Sequence, residues 1–389
     1  MQLRIPGPTP LPDEVLDAMH RPMISHRGGE FRDLLRDVTE RLRCCFQTEH
    51  DVLVFPGAGT GGLEAAIANL FSPGDEVLAV TVGAFGDRFA EIAARFGLRV
   101  TRLVSPWGQA ADLDALRGAL ARTHSAKGVL LTHNETSTGV QNDVEAVSRL
   151  LDARLGLRPL LVVDAISSMG AVDIPVDRWG IDVAVTASQK AWMAPPGLTM
   201  LSVGPRAWEA NKHAALPRFY WDFAEARRWL DRWETPYTPA VSLLWGLQAS
   251  LRLLMDEGLP SVFARHERLR DKVRRGASAL GYTPFAPDEI ASRTVTALLP
   301  PDSITAPEVT AALKREGIVV AGGQGPLEGK IVRVGHMGFA SERDMGEVLA
   351  AMAAAAGVAW ADPQGGRTMH PDSYAKSLSG RNAVQTPKG

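Results

Sequence analysis

Lys190 stands in Ala187-Ser188-Gln189-Lys190, directly after the apolar run Ile181–Thr186 and ahead of Ala194-Pro195-Pro196-Gly197. A lysine at the end of a buried strand is a candidate Schiff-base former, although most strand-end lysines snorkel to water and serve only the surface. Its neighbours carry the argument. The run Pro159–Asp164 ends a second apolar stretch in a carboxylate, followed by Ala165-Ile166-Ser167-Ser168. An Asp and a Lys on successive strand ends match the two needs of a pyridoxal phosphate (PLP) site, one for the pyridine nitrogen and one for the aldehyde.

Three more segments have chemistry in their residue types. Gly57-Ala58-Gly59-Thr60-Gly61-Gly62 separates a strand pattern from the helical Leu63–Ile67. Its amides and the Thr60 hydroxyl suit a phosphate at a helix N-terminus, or it is a plain glycine-rich turn. No Gly-Lys-Ser/Thr completes a nucleotide P-loop, and the glycine spacing does not fit a dinucleotide fingerprint. Thr132–Gly139 is a hydroxyl-rich run, read either as a polar wall for a cofactor ring or as a capped turn before Asn142-Asp143. His133 and Glu135 do not complete a metal set, and no metal is expected. Arg333, among the apolar residues of Lys330–Val334, needs a planar anion; a substrate carboxylate or a protein acid would serve. Arg27, with Gly28-Gly29, either shapes a substrate pocket or sits in an ordinary loop before a helix at 30–46.

These residues need a scaffold that gathers strand ends. Apolar runs at Asp51–Phe55, Glu76–Thr81, Lys127–Thr132, Pro159–Asp164, Ile181–Thr186 and Leu198–Val203 alternate with helical stretches such as Asp87–Phe96, Asp112–Ala121 and Val144–Leu155. That alternation predicts an α/β fold with a mostly parallel sheet covered on both faces, with ligands at the carboxyl ends of its strands. Beyond Thr235-Pro236-Tyr237-Thr238-Pro239 come helices at Ala240–Glu257 and Ser261–Leu280. A smaller α/β unit follows, with strands near Thr294–Leu299 and Lys330–Val334 and helices near Ala306–Glu316 and Glu342–Ala356. The expected organisation is an N-terminal arm (1–20), a large domain (21–250), a small C-terminal domain (251–360) and a disordered or extended tail (361–389). The 389 residues are 45% hydrophobic and 22% charged with net charge −2, which suits a globular enzyme and offers no basic field for nucleic acid. No apolar run approaches the roughly 20 residues of a membrane span. No signal peptide opens the chain, so a cytoplasmic protein is expected. Cys44 and Cys45 are adjacent and unsuited to a staple.

Taken together, Pro6-Gly-Pro-Thr-Pro10, Ser25-His26-Arg27, Gly57–Gly62, Thr132–Val140, Val163-Asp164, Ser188-Gln189-Lys190 with Pro195-Pro196-Gly197, and Arg333-Val334-Gly335 resemble one family. It is the class V group of fold-type I PLP-dependent aminotransferases, of the alanine/serine–glyoxylate type, including bacterial members labelled as a soluble hydrogenase small subunit. The resemblance covers about residues 3 to 355 and implies a seven-stranded large-domain sheet and a homodimer with shared active sites. It implies that Lys190 forms the aldimine and Asp164 holds the pyridinium nitrogen. Ala58, Gly59, Thr60 and Gln189 would meet the phosphate, with Thr238 reaching in from the partner subunit. Thr136 would contact the ring oxygen, Phe85 would stack on the ring, and Arg333 would bind the substrate carboxylate. Phe85, Thr60 and Thr235 stand where the peroxisomal relatives carry Trp, His and Tyr. The expected reaction moves the amino group of an alanine- or serine-like amino acid to a 2-oxo acid such as glyoxylate or pyruvate, through a pyridoxamine form. A PLP-dependent lyase on the same residues and a non-catalytic assembly subunit are the alternatives.

Overall fold

Every residue of Leu160–Asp164 and Val183–Ala187 is buried, which a strand achieves when helices cover both faces of its sheet. These runs form the centre of a seven-stranded sheet in the computed structural model, which describes residues 1–154, 156–361 and 368–369. Its strands in chain order are β1 (Asp51–Gly57), β2 (Glu76–Thr81), β3 (Arg99–Val104), β4 (Ala126–Thr132), β5 (Leu160–Asp164), β6 (Val183–Ala187) and β7 (Gly197–Val203). They lie in the order β1-β7-β6-β5-β4-β2-β3. Only β7 is antiparallel to its neighbours β1 and β6. The carboxyl ends of β1, β2, β4, β5 and β6 therefore share one edge.

All six apolar runs expected from the sequence are strands. The seventh, β3, left no such run because it is an edge strand: Arg99, Thr101, Arg102 and Val104 are exposed. Along β5 the alternation of side chains divides the interior in two, with Leu161 and Val163 packing into one core and Val162 into the other.

Helices α1 (Gly59–Leu70) and α2 (Ala84–Arg95) follow β1 and β2. Helix α3 (Val241–Glu257) lies on the first core through Val241, Leu244, Leu247, Leu251 and Leu254. Helix α4 (Leu259–Ala279) leaves that core at Val262 and enters another at Leu269, Val273 and Ala277. This third core backs a four-stranded antiparallel sheet of β8 (Thr283–Pro284), β9 (Val295–Leu299), β10 (Ala321–Gly322) and β11 (Val332–Gly335), ordered β8-β9-β11-β10. The change of core thus falls inside α4.

The first residues are stitched to both units. Gln2–Leu3 pairs in parallel with Ile318–Val319, and the helix Asp13–Met19 rests on α3 at Gly246, where a Cβ would come within 3.0 Å of Met19. Trp360–Ala361 pairs with Thr368–Met369; the rest of the expected tail lies outside the described residues. Among those residues no helix is long and apolar enough to cross a membrane, and no group of acidic, His and Cys side chains could hold a metal ion.

Candidate active site

The glycine-rich turn after β1 leads straight into α1. Its N-cap, Ala58, is extended and offers no side chain to the first-turn amides, so their positive end of the helix dipole is open to an anion. Gly59 has no side chain because Ile166 occupies the place, with Cγ1 only 2.7 Å from where a Cβ would be. Gly62 likewise lets α1 lie against Val185 and Thr199 of the sheet.

Asp164 is the last residue of β5 and is 4% exposed. Its Oδ1 accepts the Ile166 N–H at 3.0 Å. Burial pushes its pKa up to about 7; the Ile166 bond opposes this, Glu135 adds to it, and Lys190 and Arg88 counter it. Lys190 follows β6 in a turn pinned by buried Trp192, whose Nε1 donates to Thr186 Oγ1 at 2.8 Å, and by Ser188, whose hydroxyl donates to the Pro195 carbonyl. Burial brings the Lys190 pKa down to about 8; Asp164 resists this, and Arg333 and Arg88 reinforce it. The Lys190 ammonium donates to the Pro6 carbonyl.

The Thr132–Gly139 run is both wall and brace. Thr136 lines the cavity. Glu135 accepts the N–H groups of Phe85 and Gly86, each at 3.0 Å, and the Ser137 hydroxyl at 2.6 Å. It thereby caps α2 and fixes where Phe85 stands. Burial raises its pKa, against those three hydrogen bonds and a fourth from the Ser137 N–H at 3.1 Å. His133 is held near neutral imidazole by burial, with its pKa down to about 3, and meets the Ser168 hydroxyl at 2.9 Å.

One cavity gathers Ala58, Gly59, Thr60, Phe85, Thr136, Asp164, Gln189 and Lys190. Leu63, Arg88, Asn134, Ile166 and Ser167 complete its lining and were not foreseen. A signal for Arg88 did exist: it lies three residues after Phe85 on a helix, a spacing that shares a face, and its guanidinium lies 4.8 Å from the Phe85 ring centroid. Arg333 on β11 is 5% exposed, and donates through Nε to the Gly322 carbonyl at 2.7 Å and through Nη1 to the Thr136 carbonyl at 3.0 Å. No ion pair joins it to a carboxylate among the described residues, so the protein-acid reading of this arginine falls away.

Arg27 is not brought to this cavity. Its guanidinium donates to Glu234 Oε2 at 3.3 Å and to the carbonyls of Thr235 and Pro236 at 2.6 and 3.2 Å, and it lies over the Trp229 ring. Within one chain Arg27 clamps the turn that leads to Thr238, because a buried Glu234 and two carbonyls satisfy it there. Thr238 also stands apart, in a separate cavity lined by Phe55, Tyr220 and Tyr237.

The cavity fits PLP on its own chemistry. A buried carboxylate with few donors calls for a cation, an uncapped helix start calls for an anion, and a half-buried amine of lowered pKa lies between them. Gln189 Oε1 and Asn134 Oδ1 are buried there without hydrogen-bond partners, as groups awaiting a polar ligand would be.

The Asp164 shift has a sign that can be checked on the apoprotein. Its folded pKa lies above the unfolded value, so the folded state binds more protons between about pH 4 and 7 and stability falls as pH rises through that window. Apoprotein Tm is expected to decline over that range more steeply in the wild type than in Asp164→Asn; parallel curves would show that the carboxylate is not buried as described.

Comparison with known proteins gives the same answer from another direction. A family model described as aminotransferase class-V matches residues 3–339. The soluble hydrogenase small subunit of Synechococcus sp. is 42% identical over 355 residues, covering 90% of this chain and 91% of that protein. The L-aspartate–glyoxylate aminotransferase of Paracoccus denitrificans is 41% identical over 340 residues, covering 86% of this chain and 85% of that one. Among solved structures, alanine–glyoxylate aminotransferase from Nostoc sp. matches with a TM-score of 0.86 at 32% identity, over 91% of this chain and 94% of that one.

Proposed function

The chain belongs to the class V aminotransferases, a PLP-dependent family, and from that premise we propose that it moves the amino group of a small amino acid, alanine or serine in kind, to glyoxylate or pyruvate. One observation carries the reading: Lys190, Asp164 and the uncapped start of α1 face a single cavity whose Thr136 wall is bonded to an arginine free of any carboxylate. Two of the relatives named above act on glyoxylate and differ in their donors, which supports the acceptor more than the donor.

The cofactor, when bound, supplies a conjugated ring that takes up the negative charge left at the substrate Cα and carries the amino group between two substrates. The chain's residues do the rest. The amides at the start of α1, the Thr60 hydroxyl and Gln189 hold the phosphate. Asp164 keeps a proton on the ring nitrogen, Thr136 meets the ring oxygen, and Phe85 and Ile166 form apolar walls. Lys190 would carry the link to the cofactor aldehyde, and its free amine would move the Cα proton. Arg333 binds the substrate carboxylate, for which its fork is a bidentate match. In Arg333→Ala the amino-acid KM is expected to rise about 10- to 100-fold with a smaller change in kcat; an unchanged KM would move the carboxylate anchor elsewhere.

Thr238 belongs to a second copy's site in this reading, carried on the turn that Arg27 clamps. Phe219 is 77% exposed, and it and Tyr220 both stack on Tyr237 with ring centroids 5.5 Å apart. That apolar surface beside Thr238 is suited to burial in a homodimer. Light scattering is expected to return twice the chain mass; a monomer would remove Thr238 from the site.

The overall reading is tested by adding alanine, serine, glycine, aspartate or cysteine, one at a time, to the PLP-loaded protein without any 2-oxo acid. Conversion of the cofactor to its amine form with one equivalent of 2-oxo acid is expected. Release of ammonia, sulfide or CO₂ with the cofactor unconverted would make it a lyase, and failure to take up PLP would make it a non-catalytic subunit.

A further inference from the structure

The segment from Gln2 to Thr9 runs from the strand Ile318–Val319 to the backbone of Lys190. At its start, the Gln2 and Arg4 amides donate to the carbonyls of Gly317 and Val319, each at 2.7 Å, and the buried Arg4 guanidinium pairs with Asp344 at 2.6 Å. The chain then crosses β11 at Gly335, whose amide donates to the Arg4 carbonyl at 2.6 Å and where any Cβ would collide with Ile5. Gly335 lies two residues from Arg333, hence on the same face of that strand. At the far end, the Thr9 amide donates to the Gln189 carbonyl at 3.1 Å and its hydroxyl to the Lys190 carbonyl at 3.0 Å. Between these anchors the Pro6 carbonyl accepts a hydrogen bond from Lys190 Nζ. Gly7, at φ +121°, passes so close that a Cβ would lie 2.6 Å from Nζ and 2.8 Å from Cδ.

We propose that this N-terminal strap is a positioning element for the reaction, in which the Pro6 carbonyl holds the displaced Lys190 amine and the bare Gly7 leaves the space in which it turns between cofactor and substrate Cα. The inference rests on the reading of Lys190 as the proton carrier. A free amine that donates one N–H to a fixed carbonyl has its lone pair confined to the two remaining tetrahedral directions. Its proton transfer from Cα then begins from an oriented base instead of a freely rotating one. Anchoring in both sheets gives the carbonyl that fixity: one end is tied beside Arg333, which would hold the substrate, and the other to the backbone of the lysine itself.

The test compares wild type, Gly7→Ala and Arg4→Met. In Gly7→Ala, kcat is expected to fall about 100-fold, the cost typical of a displacement near 1 Å. The donor KM should stay within about threefold, and the Cα-deuterium isotope effect should rise. Arg4→Met removes the Asp344 ion pair of the distant anchor without adding an atom near Lys190, and a fall of about tenfold is expected. A second readout uses the apoprotein: the pH profile of Lys190 acylation, followed by peptide mass. This profile also reflects burial, Asp164, Arg333 and Arg88; Arg4→Met changes none of these at Lys190, whereas Gly7→Ala also adds a methyl beside Nζ. Both variants are expected to shift it, with the apoprotein melting transition retained. Wild-type profiles and kcat in both variants overturn the proposal, as does a wild-type result in Arg4→Met alone if Gly7→Ala fails to fold. Borohydride fixation of PLP to Lys190 separates the two levels: its absence in wild type refutes the role of Lys190 itself, whereas its presence with unperturbed variants refutes only the strap.

Discussion

Lys190→Ala is expected to bind PLP without any borohydride-fixable link and to lose about 10⁴-fold or more in kcat. Two functions end with one side chain. The amine that condenses with the cofactor aldehyde is gone, and so is the base that moves the Cα proton; general acid–base catalysis of this kind contributes about 10²–10⁴-fold by itself. The burial that brings the Lys190 pKa down to about 8 makes it suited to the second task, because more of it is the free base near neutrality than an exposed lysine would be. Cofactor binding should survive, since Asp164 and the start of α1 lie on other strands. Mass spectrometry of the reduced protein checks the link. A cofactor adduct found on another lysine, or activity within about tenfold of wild type, would sink the assignment. Partial rescue by a small added amine would show that proton transfer, and not the fold, was lost.

The second large effect is expected in Asp164→Asn, with kcat down about 10³-fold. The amide keeps the size of the side chain and can still accept the Ile166 N–H that Oδ1 receives at 3.0 Å, so the strand end should remain as it is. It cannot hold a proton on the ring nitrogen. Without that proton the ring is a poor sink for the charge left at Cα, and the step that Lys190 performs slows. Asp164→Glu retains the charge and is expected to recover part of the rate. If Asn matches the wild type in kcat and in the pH dependence of the cofactor absorbance, Asp164 is a structural residue. The buried position makes that outcome costly to explain, because a carboxylate with a pKa raised to about 7 has no structural reason to be kept there.

Lys190, Asp164 and the Gly57–Gly62 turn were legible because each ends an apolar run of strand length, and strand ends on one sheet edge converge. The pattern reports burial and period, and these suffice to place such residues. Arg27 shows the limit. Its local sequence suits a substrate pocket and a protein clamp equally; the choice was made by Glu234 and the 235–236 carbonyls, some 200 residues away in the chain. Glu135 is a second case. Its spacing raised and then excluded a metal, but its role in capping α2 under Phe85 depends on β4 lying next to β2, which no local window contains.

From its sequence alone this protein had its α/β class, its six apolar strands, its family and the two residues proposed for the centre of the chemistry, because local periodicity and a run of ordered motifs encode all of these. The tertiary structure alone decided that β3 completes the sheet as a largely exposed edge, that the change of core falls within α4, that Arg333 pairs with no carboxylate among the described residues, and that the Pro6 carbonyl lies on Lys190. Each of those depends on which distant segments come to lie side by side, and a contact between residues 6 and 190 is set by the anchoring of the first residues at Gly335 and at Lys190, not by the residues adjoining either one.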